Sequence, residues 1–120
     1  MAGTTRVLVV DDHEDIRNTL FVALGDEGYE VRAAANGVEA LSVLDEWTPC
    51  VILLDLMMPV MDGWAFREEQ LRRQDGQAAP IVILSAAGEL EQHRASLSAA
   101  AVIAKPFDID HVVETVAAVC

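Results

Sequence analysis

Basic residues are scarce in this chain of 120 residues: 8 Lys and Arg stand against 20 Asp and Glu, for a net charge of −12. A surface this acidic repels phosphate backbones, which argues against direct nucleic-acid binding and points to protein partners. Cysteine is nearly absent too. Cys50 and Cys120 lie far apart in the chain and form no CxxC motif. Cys50 opens an apolar run and reads as a small buried hydrophobe. Neither cysteine is expected to have a redox or metal role. Apolar runs are short, and none approaches the roughly 18 residues of a membrane span. The start, Met1-Ala2-Gly3-Thr4-Thr5-Arg6, is too short and polar for a signal peptide, so a cytoplasmic location is expected. Low-complexity segments and linkers are missing as well, and residues 1–120 read as one domain.

What the chain does have is a supply of hydrophobic residues, 52% of the total, enough for a sizeable core. Four short apolar runs end in polar groups. Val7-Leu8-Val9-Val10 leads into Asp11-Asp12, and Cys50-Val51-Ile52-Leu53-Leu54 into Asp55. Ile81-Val82-Ile83-Leu84 leads into Ser85, and Ala101-Val102-Ile103-Ala104 into Lys105. Asp55, set between an apolar run and Leu56-Met57-Met58-Pro59, is costly unless a charged partner meets it. If the runs are parallel strands, their carboxyl ends share one sheet edge, where open α/β folds bind ligands. Three carboxylates, a hydroxyl and an ammonium would meet there. Clustered carboxylates suit a hard divalent cation such as Mg²⁺. A lysine and a hydroxyl suit a phosphoryl group.

Between the runs, helical spacing recurs. Asp15 is placed to cap a helix with Ile16, Leu20, Ala23 and Leu24 on its apolar side, ended by Gly25 and Gly28. Glu30 to Ala34 alternates, as an edge strand does. Asn36-Gly37 reads as a turn, followed by a helix lined by Val38, Leu41 and Leu44 and stopped at Thr48-Pro49. Trp64 to Arg73 reads as helical, with Glu68–Arg72 and Glu69–Arg73 as i,i+4 pairs and Asp75-Gly76 as its end. Glu89 to Leu97 gives a further helix. Asp108 caps the last one, with Ile109, Val112, Val113 and Val116 on its apolar face. The order is (βα) five times, which predicts an α/β fold with a parallel sheet covered on both faces.

Five segments together resemble the receiver domains of two-component response regulators, the CheY-like family. They are Val9-Val10-Asp11-Asp12 with Arg17, Ala35-Asn36-Gly37-Val38-Glu39-Ala40-Leu41, Leu53-Leu54-Asp55 through Asp62-Gly63, Leu84-Ser85-Ala86, and Lys105-Pro106-Phe107. The resemblance implies a doubly wound, flavodoxin-like sheet in strand order 2-1-3-4-5. It implies that Asp55 is the phosphoacceptor, and that Asp12 is the main Mg²⁺ carboxylate, supported by Asp11. The carbonyl of Met57 would be a further metal ligand. Ser85 would be the switch hydroxyl, and Lys105 would pair with Asp55 at rest and with the phosphoryl group afterwards. The Lys105–Pro106 bond would be cis.

The partners so implied are a sensor histidine kinase or a histidine phosphotransfer protein, and an output protein or fused output domain. The output contact would use the face formed by 89–97, 101–104 and 108–119. The domain would act as a monomer or a phosphorylation-dependent dimer, and catalyse only its own phosphorylation and slow dephosphorylation. The sequence departs from the family at Val102, where an aromatic is usual, and at Ser85, where Thr is usual. A phosphatase of the haloacid dehalogenase type would need a second Asp at the position of Met57. A static pseudo-receiver would not need Asp12, Asp55 and Lys105 together. His13 reads as a loop residue rather than a ligand. Met57, Met58 and Met61 read as loop packing, and Trp47 and Trp64 as partly buried residues without assigned function.

Overall fold

The computed structural model describes residues 5–74, 76–86 and 90–120. Its strands are β1 (Arg6–Val10), β2 (Glu30–Ala34), β3 (Val51–Asp55), β4 (Ile81–Ala86) and β5 (Ala101–Lys105). Its helices are α1 (Glu14–Asp26), α2 (Gly37–Leu44), α3 (Gly63–Gln74), α4 (Leu90–Leu97) and α5 (Ile109–Val119). All strand pairs are parallel, in the order β2-β1-β3-β4-β5. The expected fold and strand order are therefore the observed ones.

Alternation along the strands divides the core in two, because successive side chains point to opposite faces. Leu8, Val10, Ile52, Leu54, Ile81 and Ile83 face one way, against Ala40 and Leu41 of α2, Phe66 of α3 and Leu97 of α4. Val7, Val9, Val51, Leu53, Val82 and Leu84 face the other way, against Leu20 and Leu24 of α1 and Val112 and Val116 of α5. Burial on both faces is why the inner strands read as unbroken apolar runs. Each such side chain contributes about 1.5–3 kcal/mol of transfer free energy.

β2, at the sheet edge, is more exposed. Its flank is closed by Trp47, only 4% exposed and so more deeply buried than expected. The Trp47 indole lies under the guanidinium groups of Arg6 at 5.6 Å and Arg32 at 4.9 Å. Its Nε1–H donates to Glu30 Oε2 at 3.2 Å.

Several local expectations are corrected. Cys50 and Cys120 are joined in a disulfide, Cα to Cα 5.4 Å. It ties the end of α5 to the entry of β3, a pairing with no local signature because the fold alone brings the two residues together. Closing a loop of this size is worth about 4 kcal/mol in the chain-entropy picture. Asp15 is not the cap of α1. The helix starts at Glu14 with His13 in the cap position, which makes no side-chain cap bond.

The Asn36-Gly37 turn is a helix start. Asn36 Oδ1 accepts from Glu39 N at 3.0 Å, while Glu39 Oε1 accepts from Ala35 N at 2.9 Å. This is a reciprocal capping arrangement. Gly37 is needed there because a Cβ would lie 2.6 Å from Met61 Cγ. Val38 is exposed, while Leu41 is buried and Leu44 packs against the core as expected, with Gly37 and Ala40 buried beside them.

On α3, Arg72 pairs with Glu69 at i,i+3 rather than with Glu68. Arg73 pairs with Glu69 as expected, at 2.8 Å. Asp108 caps α5 as expected, its Oδ1 accepting from Asp110 N at 3.0 Å. Asp75 and Glu89, expected at helix ends, lie outside the described residues.

Candidate functional site

The parallel register delivers the chemistry to one edge. Val10 pairs with Leu54, and Asp55 with Leu84. The ends of β1 and β3 therefore carry Asp11, Asp12 and Asp55 side by side, with Lys105 arriving from the end of β5 and Ser85 on β4. Asp11 is fully buried and Asp55 is 4% exposed. Gly63, at the start of α3, lets the loop that precedes it fold close against the end of β3, since a Cβ there would lie 2.8 Å from Leu56 Cα.

Lys105 Nζ donates to Asp11 Oδ2 at 2.9 Å and lies 3.5 Å from Asp55 Oδ1. The lysine expected to pair with Asp55 thus sits closer to Asp11. Met57 N donates a long bond, 3.3 Å, to Asp55 Oδ1. Asp55 Oδ2 and Asp12 Oδ1 are buried and have no hydrogen-bond partner among the described residues. Burial, and then the charge of Asp11, push the Asp55 carboxyl above its ordinary value, with Lys105 pulling against them. Two unpartnered carboxylate oxygens beside a fully buried third acid are what a cation would satisfy. The donor set fits one: Asp11, Asp12, His13 and Asp55 offer ligand atoms that all lie within 4.8 Å of one another.

His13 is the residue that the sequence reading left out. Its backbone N–H donates to Asp11 Oδ1 at 2.8 Å. Its Nδ1 lies 2.9 Å from the same oxygen and 3.2 Å from Asp12 Oδ1. The bond to Asp11 and the charges of Asp12 and Asp11 raise its pKa. Its one signal in sequence is its place directly after the acidic pair. Arg17 Nη1 donates to the Asp11 carbonyl at 2.8 Å and braces the turn.

Of the other expected residues, Ser85 is half-buried and Met57 is exposed. Ser85 makes no hydrogen bond to the acidic cluster among the described residues. Met58 is buried in the core, and Met61 packs against it. The Lys105–Pro106 bond is cis. Val102 packs, partly buried, against the core. A groove lined by His13, Ile16, Lys105, Pro106 and Phe107 opens beside the cluster.

The comparisons with known proteins agree with this geometry. The family model described as the response regulator receiver domain matches residues 7–117. Sporulation initiation phosphotransferase F of Bacillus subtilis (strain 168) is 37% identical over 115 residues, 92% of this chain and 90% of that protein. Regulatory protein AtoC of Escherichia coli (strain K12) is 34% identical over 112 residues, 92% of this chain but only 24% of that protein. Among solved structures, the chemotaxis response regulator CheY4 of Vibrio cholerae superposes with a TM-score of 0.89 at 32% identity. That match covers 98% of this chain and all of the other. With its acidic cluster, lysine and sheet order in place, the chain belongs to the response regulator receiver domains.

Proposed function

We propose that Asp55 accepts a phosphoryl group from a phosphohistidine of a sensor histidine kinase or a histidine phosphotransfer protein. The supporting observation is the Asp55 carboxylate itself: buried, with an unpartnered oxygen, among acids and next to Lys105. An Asp55 oxygen attacks phosphorus, the bond from phosphorus to the donor nitrogen breaks, and its electron pair leaves with the imidazole. Water later attacks the acyl phosphate and restores the carboxylate. Phosphoryl transfer of this kind needs positioning and charge neutralisation more than covalent help. Lys105, anchored on Asp11, supplies one cation.

Asp12, Asp55, the Met57 carbonyl and, in support, Asp11 would hold Mg²⁺. When bound, the ion offsets the repulsion between an anionic nucleophile and an anionic phosphate. The groove from His13 to Phe107 is the proposed approach of the donor. Ser85 bonds a phosphoryl oxygen and carries the change to the face formed by 89–97, 101–104 and 108–119, where an output protein or fused output domain docks. This chain spans a minor part of AtoC, which is the setting in which a fused output domain fits. The whole of 1–120 acts as one domain, as a monomer or a dimer formed on phosphorylation. Its proposed location is the cytoplasm, where the thiol pool sets whether Cys50–Cys120 is closed.

Acetyl phosphate as donor tests the reading by intact-mass spectrometry. One phosphoryl group is expected with Mg²⁺, none with EDTA, and none on Asp55→Asn. Labelling that persists in the Asp55→Asn protein, or that ignores EDTA, would remove Asp55 from this role.

A further inference from the structure

We propose that His13 is a fourth side-chain donor at the acidic cluster, so that the site prefers a borderline first-row ion such as Ni²⁺ over Mg²⁺. The inference rests on the cation-site reading above and adds to it a ligand and a selectivity.

Three observations carry it. The first is placement. Residues that begin helices usually spend their side chain on the helix's free N–H groups. His13 does not, since it makes no side-chain cap bond. Its ring turns toward the acids, Nδ1 at 2.9 Å from Asp11 Oδ1 and 3.2 Å from Asp12 Oδ1. Its own backbone N–H, on the same Asp11 oxygen at 2.8 Å, holds the residue in place.

The second is what the acids lack. Lys105 occupies Asp11 Oδ2 on the far side. Asp55 Oδ2 has no hydrogen-bond partner among the described residues, Asp12 Oδ1 has only the His13 contact, and the Asp55 side chain is only 5% exposed. One lysine does not satisfy three carboxylates.

The third is donor chemistry. Carboxylates only accept, so the Nδ1 contacts require a hydrogen on Nδ1. An ion held by the ring and the carboxylates would take the place of that hydrogen. From a neutral ring the proton would move to Nε2, and only from a protonated ring would one proton go to solvent. A nitrogen donor adds little for Mg²⁺, which keeps oxygen ligands and water. It adds much for ions late in the first row, whose affinity for imidazole rises toward Ni²⁺ and Cu²⁺. The His13 side chain is 62% exposed, so an ion reaches it without any opening of the fold.

Calorimetric titration with Ni²⁺ alone and with Mg²⁺ alone, at a pH where imidazole is neutral, tests this on the wild type, His13→Gln and Asp12→Asn. Wild type should bind Ni²⁺ at least about 100-fold more tightly than Mg²⁺. His13→Gln should weaken Ni²⁺ by about tenfold or more and leave Mg²⁺ within about twofold. His93 and His111 remain in that variant, so adventitious histidine binding would persist in it. Co²⁺ gives a second readout: ring-nitrogen ligation shifts the His13 proton resonances far outside the normal range, with His93 and His111 as internal references. Ni²⁺ affinity unchanged by His13→Gln, or both ions weakened alike, overturns the selectivity while leaving the cation site standing. Binding of both ions that ignores Asp12→Asn overturns the cation site itself. Thermal melting of the metal-free variants verifies that each is folded.

Discussion

Two buried charges in this molecule are treated in opposite ways. Arg67, on α3 and 6% exposed, lies at the amino end of β4 and has every side of its guanidinium met. Its Nε donates to the Leu97 carbonyl at 3.0 Å, Nη1 to Gln70 Oε1 at 2.8 Å and to the Ala79 carbonyl at 3.3 Å, and Nη2 to the Ser98 carbonyl at 3.2 Å. Asp55, at the carboxyl end of the sheet, has one long backbone bond, a lysine at 3.5 Å, and an oxygen with nothing. Each region also holds one residue other than glycine in the left-handed region. Ser98, φ 52°, presents its carbonyl to Arg67, whereas Val60, φ 70°, lies exposed in the loop after Asp55. The same sheet thus has a satisfied end and an unsatisfied one. A charge that only holds structure has each of its nitrogens hydrogen-bonded. A charge kept for chemistry is left with capacity to bind.

The sharpest way to break this comparison is Arg67→Met, which keeps the apolar stem and removes the donors. The carbonyls of Leu97 and Ser98 lose a charged partner, and the Ala79 carbonyl is left with Gln70 Nε2 alone. We expect a loss of about 3 kcal/mol, read as a lower urea midpoint with an unchanged slope. A loss below about 1 kcal/mol would mean that the network is not what closes α3 onto the turn after α4.

Asp55→Asn should act in the other direction, raising stability by about 2 kcal/mol in EDTA at neutral pH, because a poorly paired buried charge is removed. The pH dependence gives the sign. The folded Asp55 carboxyl titrates above its ordinary 3.8. Between that value and the raised one, the folded protein binds more protons than the unfolded chain, so stability falls as pH rises through the interval. The penalty is complete above it, and the advantage of Asp55→Asn should shrink as the pH is lowered. An Asp55→Asn protein less stable than wild type at neutral pH in EDTA would show that the carboxylate is better paired than its contacts indicate.

The satisfied end was far less legible in sequence than the unsatisfied one. Asp11, Asp12, Asp55 and Lys105 all follow short apolar runs, and a parallel sheet puts the ends of such runs together, so order along the chain was enough. Arg67 sits in a helix whose composition looks solvent-facing. Its acceptors are backbone carbonyls of Ala79, Leu97 and Ser98, which have no sequence signature. Cys50–Cys120 was missed for the same reason, the contact being made by the fold rather than by spacing. Asn36 and Asp15 failed as local readings because several polar residues near a helix start compete for the cap, and tertiary position decides among them. A lone histidine in a loop has no periodicity to read, which leaves His13 only its place after the acidic pair.

Strain offers a finer test of the unsatisfied end. Val60→Gly should stabilise the protein by up to about 1 kcal/mol, since a left-handed conformation costs a β-branched residue about 1–2 kcal/mol. Part of the gain is offset by the greater freedom of glycine in the unfolded chain. The thermal midpoint of the metal-free protein measures it. A lower midpoint would mean that the exposed Val60 side chain makes contacts that outweigh its backbone cost.

The smallest effect belongs to a charge of a third kind, paired but at the surface. Glu69 receives Arg72 Nε at 3.0 Å and Arg73 Nε at 2.8 Å, and the two arginines hold its carboxyl down from 4.5 to about 2. For an acid with a lowered pKa, the stabilisation is fully present above the unfolded value and is lost as pH falls through the folded one. The difference between wild type and Glu69→Gln should therefore be constant near neutral pH and fade between about 4.5 and about 2. It should also fade in about 1 M salt, where exposed charges are screened within about 3 Å. Thermal melts across pH and salt resolve both trends. Arg67→Met, by contrast, should cost nearly the same at either ionic strength, because its guanidinium is largely buried. If Glu69→Gln proved as costly as Arg67→Met and equally indifferent to salt, burial would not be what separates a strong charge contact from a weak one in this fold.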